Sequence, residues 1–193
     1  MTDVIGMLTA EQALVIVGRL CRTEGVLRDA VVAEAMSVLT EIDVDSIADE
    51  VFVALDSIDV QNCWDRSGRS RDGYTSPDEA AAEIVEEELQ PYLDQIERYR
   101  ALTMPEQELA FCMGVLLGIY RYTRESKSEF SEWSADIPAE CAGLLMDQWR
   151  ERQKDEAGVG AMEAFTRSVL PPGFGRSQRA VLNKSCGDPS NRS

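Results

Sequence analysis

The run Leu109-Ala-Phe-Cys-Met-Gly-Val-Leu-Leu-Gly-Ile-Tyr120 constrains this chain more than any other stretch. It is apolar on every side at helical spacing, a pattern that a helix carries when other helices surround it. At about a dozen residues it is short of the roughly 20 that a bilayer crossing needs. Thr103 is placed to cap its start, with Pro105 in the first turn and Glu106 three residues after the cap. Gly114 and Gly118, one turn apart, let a neighbouring helix approach closely on that side. The other helices are therefore expected to be arranged around this one.

Charge and residue content exclude several functions. A chain of 193 residues suits one domain, with little room for two. The net charge of −16 argues against nucleic-acid binding, because phosphate neutralisation needs clustered Lys and Arg, and against docking on anionic membranes. There is no histidine, which removes the commonest general base, the Ser-His and Cys-His nucleophile pairs, and most zinc and di-iron ligand sets. The five cysteines, Cys21, Cys63, Cys112, Cys141 and Cys186, are widely spaced and form no Cys-x-x-Cys pair. Cys21, Cys112 and Cys141 sit among apolar residues at helical spacing, where a free thiol acts as a small core hydrophobe. No secretory leader pattern precedes the first helix, so a reducing, cytoplasmic setting is expected.

Taken in order, Thr9-Ala-Glu-Gln12 reads as a capping box opening a helix whose buried stripe is expected to be Leu14, Val17, Leu20 and Cys21. After Gly25 a second helix presents Leu27, Ala30, Val31, Ala35, Val38 and Leu39. Ile42-Asp43-Val44 recurs as Ile58-Asp59-Val60, each Asp placed to cap the helix after it. The helix between them should bury Ile47, Val51, Ala54, Leu55 and Ile58. Asn62 to Ser76 reads as one long irregular segment. Ser76, Pro77 and Glu79 then combine a cap, a first-turn proline and a capping-box acid. The long helix they open has an inner stripe of Ala81, Val85, Leu89, Tyr92, Ile96 and Tyr99, with a kink expected near Glu87 from Pro91. Past the central helix, Ser126 to Ile137 is a polar connection, and Asp136 and Pro138 open a helix expected to bury Cys141, Leu144, Leu145 and Trp149. From Asp155 onward five Lys or Arg stand against four acids, a net of +1 that leaves −17 on the preceding residues. A single all-helical domain is thus expected over 1–154, with a basic-leaning extension over 155–193 that is partly loose, although Ala161–Leu170 is amphipathic enough to dock. No stretch alternates in the strand manner, so at least six helices and no sheet are expected, as an irregular α-α superhelix or a multi-helix bundle.

The candidate binding segment is the loop carrying Trp64, Arg66, Arg69, Arg71 and Tyr74. Its three guanidinium groups can hold a phosphate or carboxylate through paired donors. The structural alternative is that the two aromatics pin the loop while the arginines pair with Asp65, Asp72 or Glu79. The carboxylates Glu83, Glu86, Glu87, Asp94 and Glu97 read as a solvated face, since di-metal helices pair each Glu with a His three residues on. Asp43-Val-Asp45 lacks the glycine of a calcium loop, having Ala48 at the sixth position. Pro171-Pro-Gly-Phe-Gly-Arg-Ser177 lacks the strand and lysine of a phosphate loop. Cys63, near Asp65 and Arg66, is a candidate thiolate without a histidine to activate it. Phe130 and Trp133 read as anchors that gain interest only if exposed together. No catalytic residue, metal ligand or cofactor is expected.

These elements carry two resemblances. The twice-used Ile-Asp-Val and the segment Ile47–Ile58, within a succession of capped helices over the first 150 residues, resemble the HEAT and armadillo class of helical-repeat proteins. That resemblance implies a curved surface that binds other proteins. The stretch from Asn62-Cys-Trp-Asp-Arg-Ser-Gly to Met146-Asp-Gln-Trp149 is similar to a bacterial all-helical family to which no activity attaches. The leading expectation is a non-catalytic protein-interaction or adaptor module whose partner is another protein. The alternatives are a small anionic-ligand binder or enzyme using the Arg66–Tyr74 loop, and an acidic decoy that occupies a nucleic-acid-binding protein. The sequence leaves the oligomeric state open.

Overall fold

A computed structural model describes residues 5–23, 25–70, 73–134 and 136–174. The chain divides into two compact units, Met1–Ile42 and Asp43–Ser193. The first holds a 3-10 turn at Ile5–Met7 and two helices in mutual contact, α1 (Ala10–Thr23) and α2 (Gly25–Thr40). The capping box at the start of α1 is present: Gln12 N–H donates to Thr9 Oγ1 at 3.2 Å and Thr9 N–H to Gln12 Oε1 at 3.0 Å. The expected buried stripe of α1 is not. Leu14 is 73% exposed, Val17 and Leu20 are also exposed, and no residue of α2 is buried. Apolar periodicity marks the face of a helix that seeks cover, and within this unit that face has none.

The second unit holds α3 (Val44–Asp56), α4 (Val60–Arg66), a hairpin of β1 (Gly68–Ser70) and β2 (Gly73–Thr75), and then α5 (Pro77–Ala101) and α6 (Pro105–Glu125). It continues through α7 (Glu129–Trp133), α8 (Ile137–Arg152) and α9 (Glu156–Val169). The fold is all-α with several helices, and the expectation of no sheet is corrected only by the hairpin. Asp43 and Asp59 are the caps of α3 and α4, accepting from the N–H groups of Asp45 and Gln61. The Ser76–Glu79 capping box opens α5, which continues as helix through Pro91. Thr103 does not cap α6. It takes a left-handed backbone (φ 57°), with Met104 N–H bonded to Tyr99 O and Thr103 N–H to Arg100 O. This is the terminating turn of α5, with a threonine where glycine is usual. Met104 is the N-cap of α6 and makes no side-chain cap bond.

Helix α6 is the centre of this unit, contacting α3, α5, α8 and α9. Every residue from Leu109 to Tyr120 is buried or half-buried. Its closest neighbour is α3. A Cβ at Gly118 would lie 2.6 Å from Ala48 O and 2.6 Å from Val51 Cβ, and one at Gly114 would lie 2.7 Å from Ile47 Cβ. One turn further along the same side, Arg121 forks onto Asp45 and Asp49 of α3. The stripes expected on α3 and α5 hold for Ile47, Val51, Leu55, Ile58, Ala81, Val85, Leu89, Ile96 and Tyr99, while Ala54 and Tyr92 are half-buried. Helix α8 buries Leu145 and Trp149, but Leu144 is exposed and Cys141 half-buried. Beyond it, α9 begins ahead of the expected Ala161 and docks on α6, with Met162 and Leu170 buried.

Among the described residues one acid is buried. Glu108 accepts from Arg100 Nη2 at 2.7 Å, Arg100 donates to Glu97 at 2.6 Å, and Arg152 donates to the same Glu97 oxygen at 2.6 Å. This chain of charges ties α5, α6 and α8. Partial burial would raise the Glu97 pKa, but hydrogen bonds from Arg152 and Arg100 outweigh it and hold the carboxyl below its usual value of 4.5.

Substitutions at two glycines and one acid test this packing. Gly118→Ala should destabilise the fold by about 1–3 kcal/mol through overpacking. Gly160→Ala in α9, where a Cβ meets nothing within 4 Å, should be neutral or stabilising by up to about 1 kcal/mol. Denaturant melts that ranked the two equally would refute the contact described. Because the folded pKa of Glu97 is depressed, its contribution is present above the unfolded carboxyl value and lost as pH falls through the folded one. Glu97→Gln should therefore cost no more than about 1 kcal/mol at neutral pH, given solvent screening of these half-exposed groups, and the gap should close on acidification below 4.5.

Candidate functional site

The segment expected to be one irregular loop instead holds the end of α4 and the strands β1 and β2. Cys63 anchors the first end: its side chain is buried, and Sγ donates to Pro77 O at 3.2 Å, joining α4 to the first turn of α5. Desolvation, reinforced by the charge of Asp78, pushes the Cys63 pKa up. The candidate thiolate is thus corrected to a neutral, structural thiol. Past Ser67 the strands pair antiparallel, with Gly68 opposite Thr75, Arg69 opposite Tyr74 and Ser70 opposite Gly73. Gly68 (φ 109°) and Gly73 (φ 147°) have backbone angles that side chains disfavour, so glycine is needed at both. Asp72-Gly73 is the local sequence signal for such a hairpin.

The five expected site residues part company here. Arg66 Nη1 donates to Glu87 Oε2 at 2.7 Å, which ties the end of α4 to the acidic face of α5. Of the carboxylates named as alternatives, Asp65 accepts from Gln61 and Glu79 completes the capping box, while Asp72 lies outside the described residues. Arg69 and Tyr74 lie side by side across the hairpin, and both are exposed, Tyr74 at 68%. Tyr74 therefore does not pin the loop. Arg71 lies outside the described residues.

Trp64 meets a residue that local sequence patterns do not supply. Its ring stands edge-on to Trp133, with centroids 4.5 Å apart and planes at 77°. The two indoles come from α4 and α7, and both remain over two-fifths exposed. Phe130, on the same short helix as Trp133, is fully buried and fixes α7 in place. The pairing joins positions 69 residues apart, beyond the reach of any periodicity. The outcome is an edge-to-face tryptophan pair on one side of the segment and an exposed Arg-Tyr pair on the hairpin. Trp, Tyr and Arg are the residue types that dominate protein-binding surfaces.

Other concavities of this unit include two along α5. A shallow trough on α5 is lined by Glu83, Glu86, Glu87, Gln90, Pro91 and Asp94. A cleft of about 200 Å³ between α5, α6 and α8 has Leu89, Val115, Ile119, Cys141 and Leu145 in its wall. Burial raises the Cys141 pKa to about 11, aided by Glu86 and Glu140, so its thiol is neutral at physiological pH. Neither Arg66 nor Arg69 lines either space. Among the described residues no three His, Cys, Asp or Glu side chains converge as a metal site, and no helix is long and apolar enough to cross a membrane.

No protein-family model, curated protein or solved structure matches this chain.

Thiol chemistry tests the burial described here. Desolvation pushes the Cys112 pKa up to about 12, with a further upward push from Glu108. In peptide-resolved alkylation of the native protein at pH 8, Cys63 and Cys112 should stay unlabelled until denaturant is added, while the half-buried Cys21 reacts ahead of them. Prompt native labelling of Cys63 would reinstate it as an accessible thiol.

Proposed function

We propose that this protein is a non-catalytic interaction module that binds another protein through the Trp64–Trp133 pair and the adjoining hairpin. The carrying observation is that two large indoles hold each other in a fixed orientation while leaving much of their surface open to solvent. Pre-oriented aromatics lose little side-chain freedom on binding and supply large contact area, which suits them as anchors. Arg69 and Tyr74 add a charged and an amphipathic side chain, paired across the two strands of the ribbon. In this reading the helical scaffold positions a surface at its margin and performs no chemistry.

The small-anion alternative draws less support. Arg66 is already engaged by Glu87, and Arg69 stands on an exposed strand away from the walls of the α5–α6–α8 cleft. Paired guanidinium donors around a pocket would be the expected arrangement for that reading.

Affinity capture from cells with wild-type and Trp64→Ala/Trp133→Ala chains tests the proposal. The expected result is a co-purifying protein lost with the double variant, with helicity and melting of the domain preserved. The same species retained in equal amount by both chains would remove this surface from consideration.

A further inference from the structure

We propose that the segment 176–184 docks on its own fold, seating Ala180-Val181-Leu182 in the cleft between α5, α6 and α8 while Arg179 and Lys184 meet the carboxylates at its edge. The cleft is apolar along α5 and α8, with Leu89, Leu93, Leu144 and Leu145 in its walls, and Leu144 is 38% exposed. At about 200 Å³ it is smaller than the roughly 300–1,000 Å³ of pockets that take a whole small ligand, and it suits a few aliphatic side chains. Its open edge is acidic. Glu86 and Gln90, one turn apart on α5, line both this cleft and the acidic trough beside it, so the two form one continuous depression. Glu86 stands near enough to Cys141 in the cleft wall for its charge to act on that thiol. Glu87 is taken by Arg66 and Asp94 by Gln90, whereas among the described residues Glu83 and Glu86 carry no ion pair or hydrogen bond.

The complementary sequence is in the same chain. Residues 175–193, expected to be partly loose, lie outside the described residues. They carry Arg176, Arg179, Lys184 and Arg192 against Asp188 alone, a net of +3 that leaves −19 on the residues before them. Their one run of three apolar side chains, Ala180-Val181-Leu182, has Arg179 before it and Lys184 two residues after it. An apolar centre flanked by cations matches an apolar cleft edged by carboxylates, with burial holding the segment and charge setting its placement. The point of attachment is close. The described chain reaches Phe174, whose ring stands edge-on to Tyr120 of α6 with centroids 5.2 Å apart, and Tyr120 follows Ile119 of the cleft wall. The seven residues from Phe174 to Val181 span up to about 23 Å when extended, roughly twice the width of a helix. A tether this short holds the segment at a millimolar effective concentration, so a modest contact suffices.

Amide hydrogen exchange of the full chain, read by mass spectrometry on a peptide spanning 178–186, tests this. In the wild-type chain the amides of 180–184 should exchange about tenfold slower than an unstructured peptide, as expected for a weak contact made at millimolar effective concentration. Val181→Asp/Leu182→Asp should abolish that protection. Leu144→Glu in the cleft wall should do the same, with circular dichroism showing the helices kept. Arg179→Glu/Lys184→Glu should cut protection by about threefold or more, and combining it with Glu83→Lys/Glu86→Lys should restore it. Exchange at the unstructured rate in the wild-type chain would overturn the proposal. So would protection that survives Leu144→Glu, because the segment would then sit elsewhere. Protection that fades on dilution would assign the cleft to the segment of a second copy, against docking within one chain. Protection that ignores both charge reversals would overturn the part given to Glu83 and Glu86.

Discussion

The contact between α3 and α6 is the interaction on which the second unit depends. Two glycines one turn apart strip α6 of side chains where α3 crosses it, so that Ala48 O and the Val51 side chain sit where a Cβ would otherwise be. Close approach brings backbone against backbone over a long stretch and multiplies dispersion contacts that are individually small. The same side of α6 ends in Arg121, whose fork spans two carboxylates one turn apart on α3. Steric fit thus sets the separation of the helices, and the ion pairs at the rim favour one relative position. With α3 fixed on one side of α6, the helices α5, α8 and α9 cover the rest of its circumference.

Because the central helix is consumed by packing, polar chemistry is pushed to the periphery. The buried Cys112 is protonated, and the buried acid is neutralised by an arginine. What the outer layer offers is contact surface: an aromatic pair held between two short helices, and a small ribbon that displays one arginine and one tyrosine. The placement of the aromatic pair comes from residues beneath it. Phe130 anchors α7 in the core, and Cys63 anchors α4 against the start of α5.

Much of this is legible in the residues, and the failures have physical causes. Caps at Asp43, Asp59 and Ser76 are readable because capping is local, decided within three or four residues. The wrapped character of Leu109–Tyr120 comes from having no polar side to turn toward water. Thr103 misleads because a threonine ahead of a Pro is a plausible N-cap, whereas the backbone uses it to terminate α5 against Tyr99 and Arg100. The hairpin is hidden because three-residue strands are too short to show alternation, although Asp72-Gly73 signals the turn. The α1 stripe is recognisably apolar, but periodicity says that a face seeks cover and not whether the same chain supplies it. The Trp64–Trp133 contact lies out of reach, since it depends on how α4 and α7 converge in space. As for Arg66, its partner Glu87 is 21 residues away on the next long helix, so the acids nearest in sequence are the wrong candidates.

The buried Glu108 has a consequence for folding fidelity. Greasy stripes on two long antiparallel helices tolerate several alignments, because sliding one past the other by a helical turn still matches oil with oil. A carboxylate inside that seam abolishes the tolerance: displaced by about 5.4 Å it would lose the guanidinium of Arg100 and stand charged in a dry interior. The Arg100–Glu108 pair thus penalises a one-turn slip of α5 against α6, in addition to the limit set by the short connection between them.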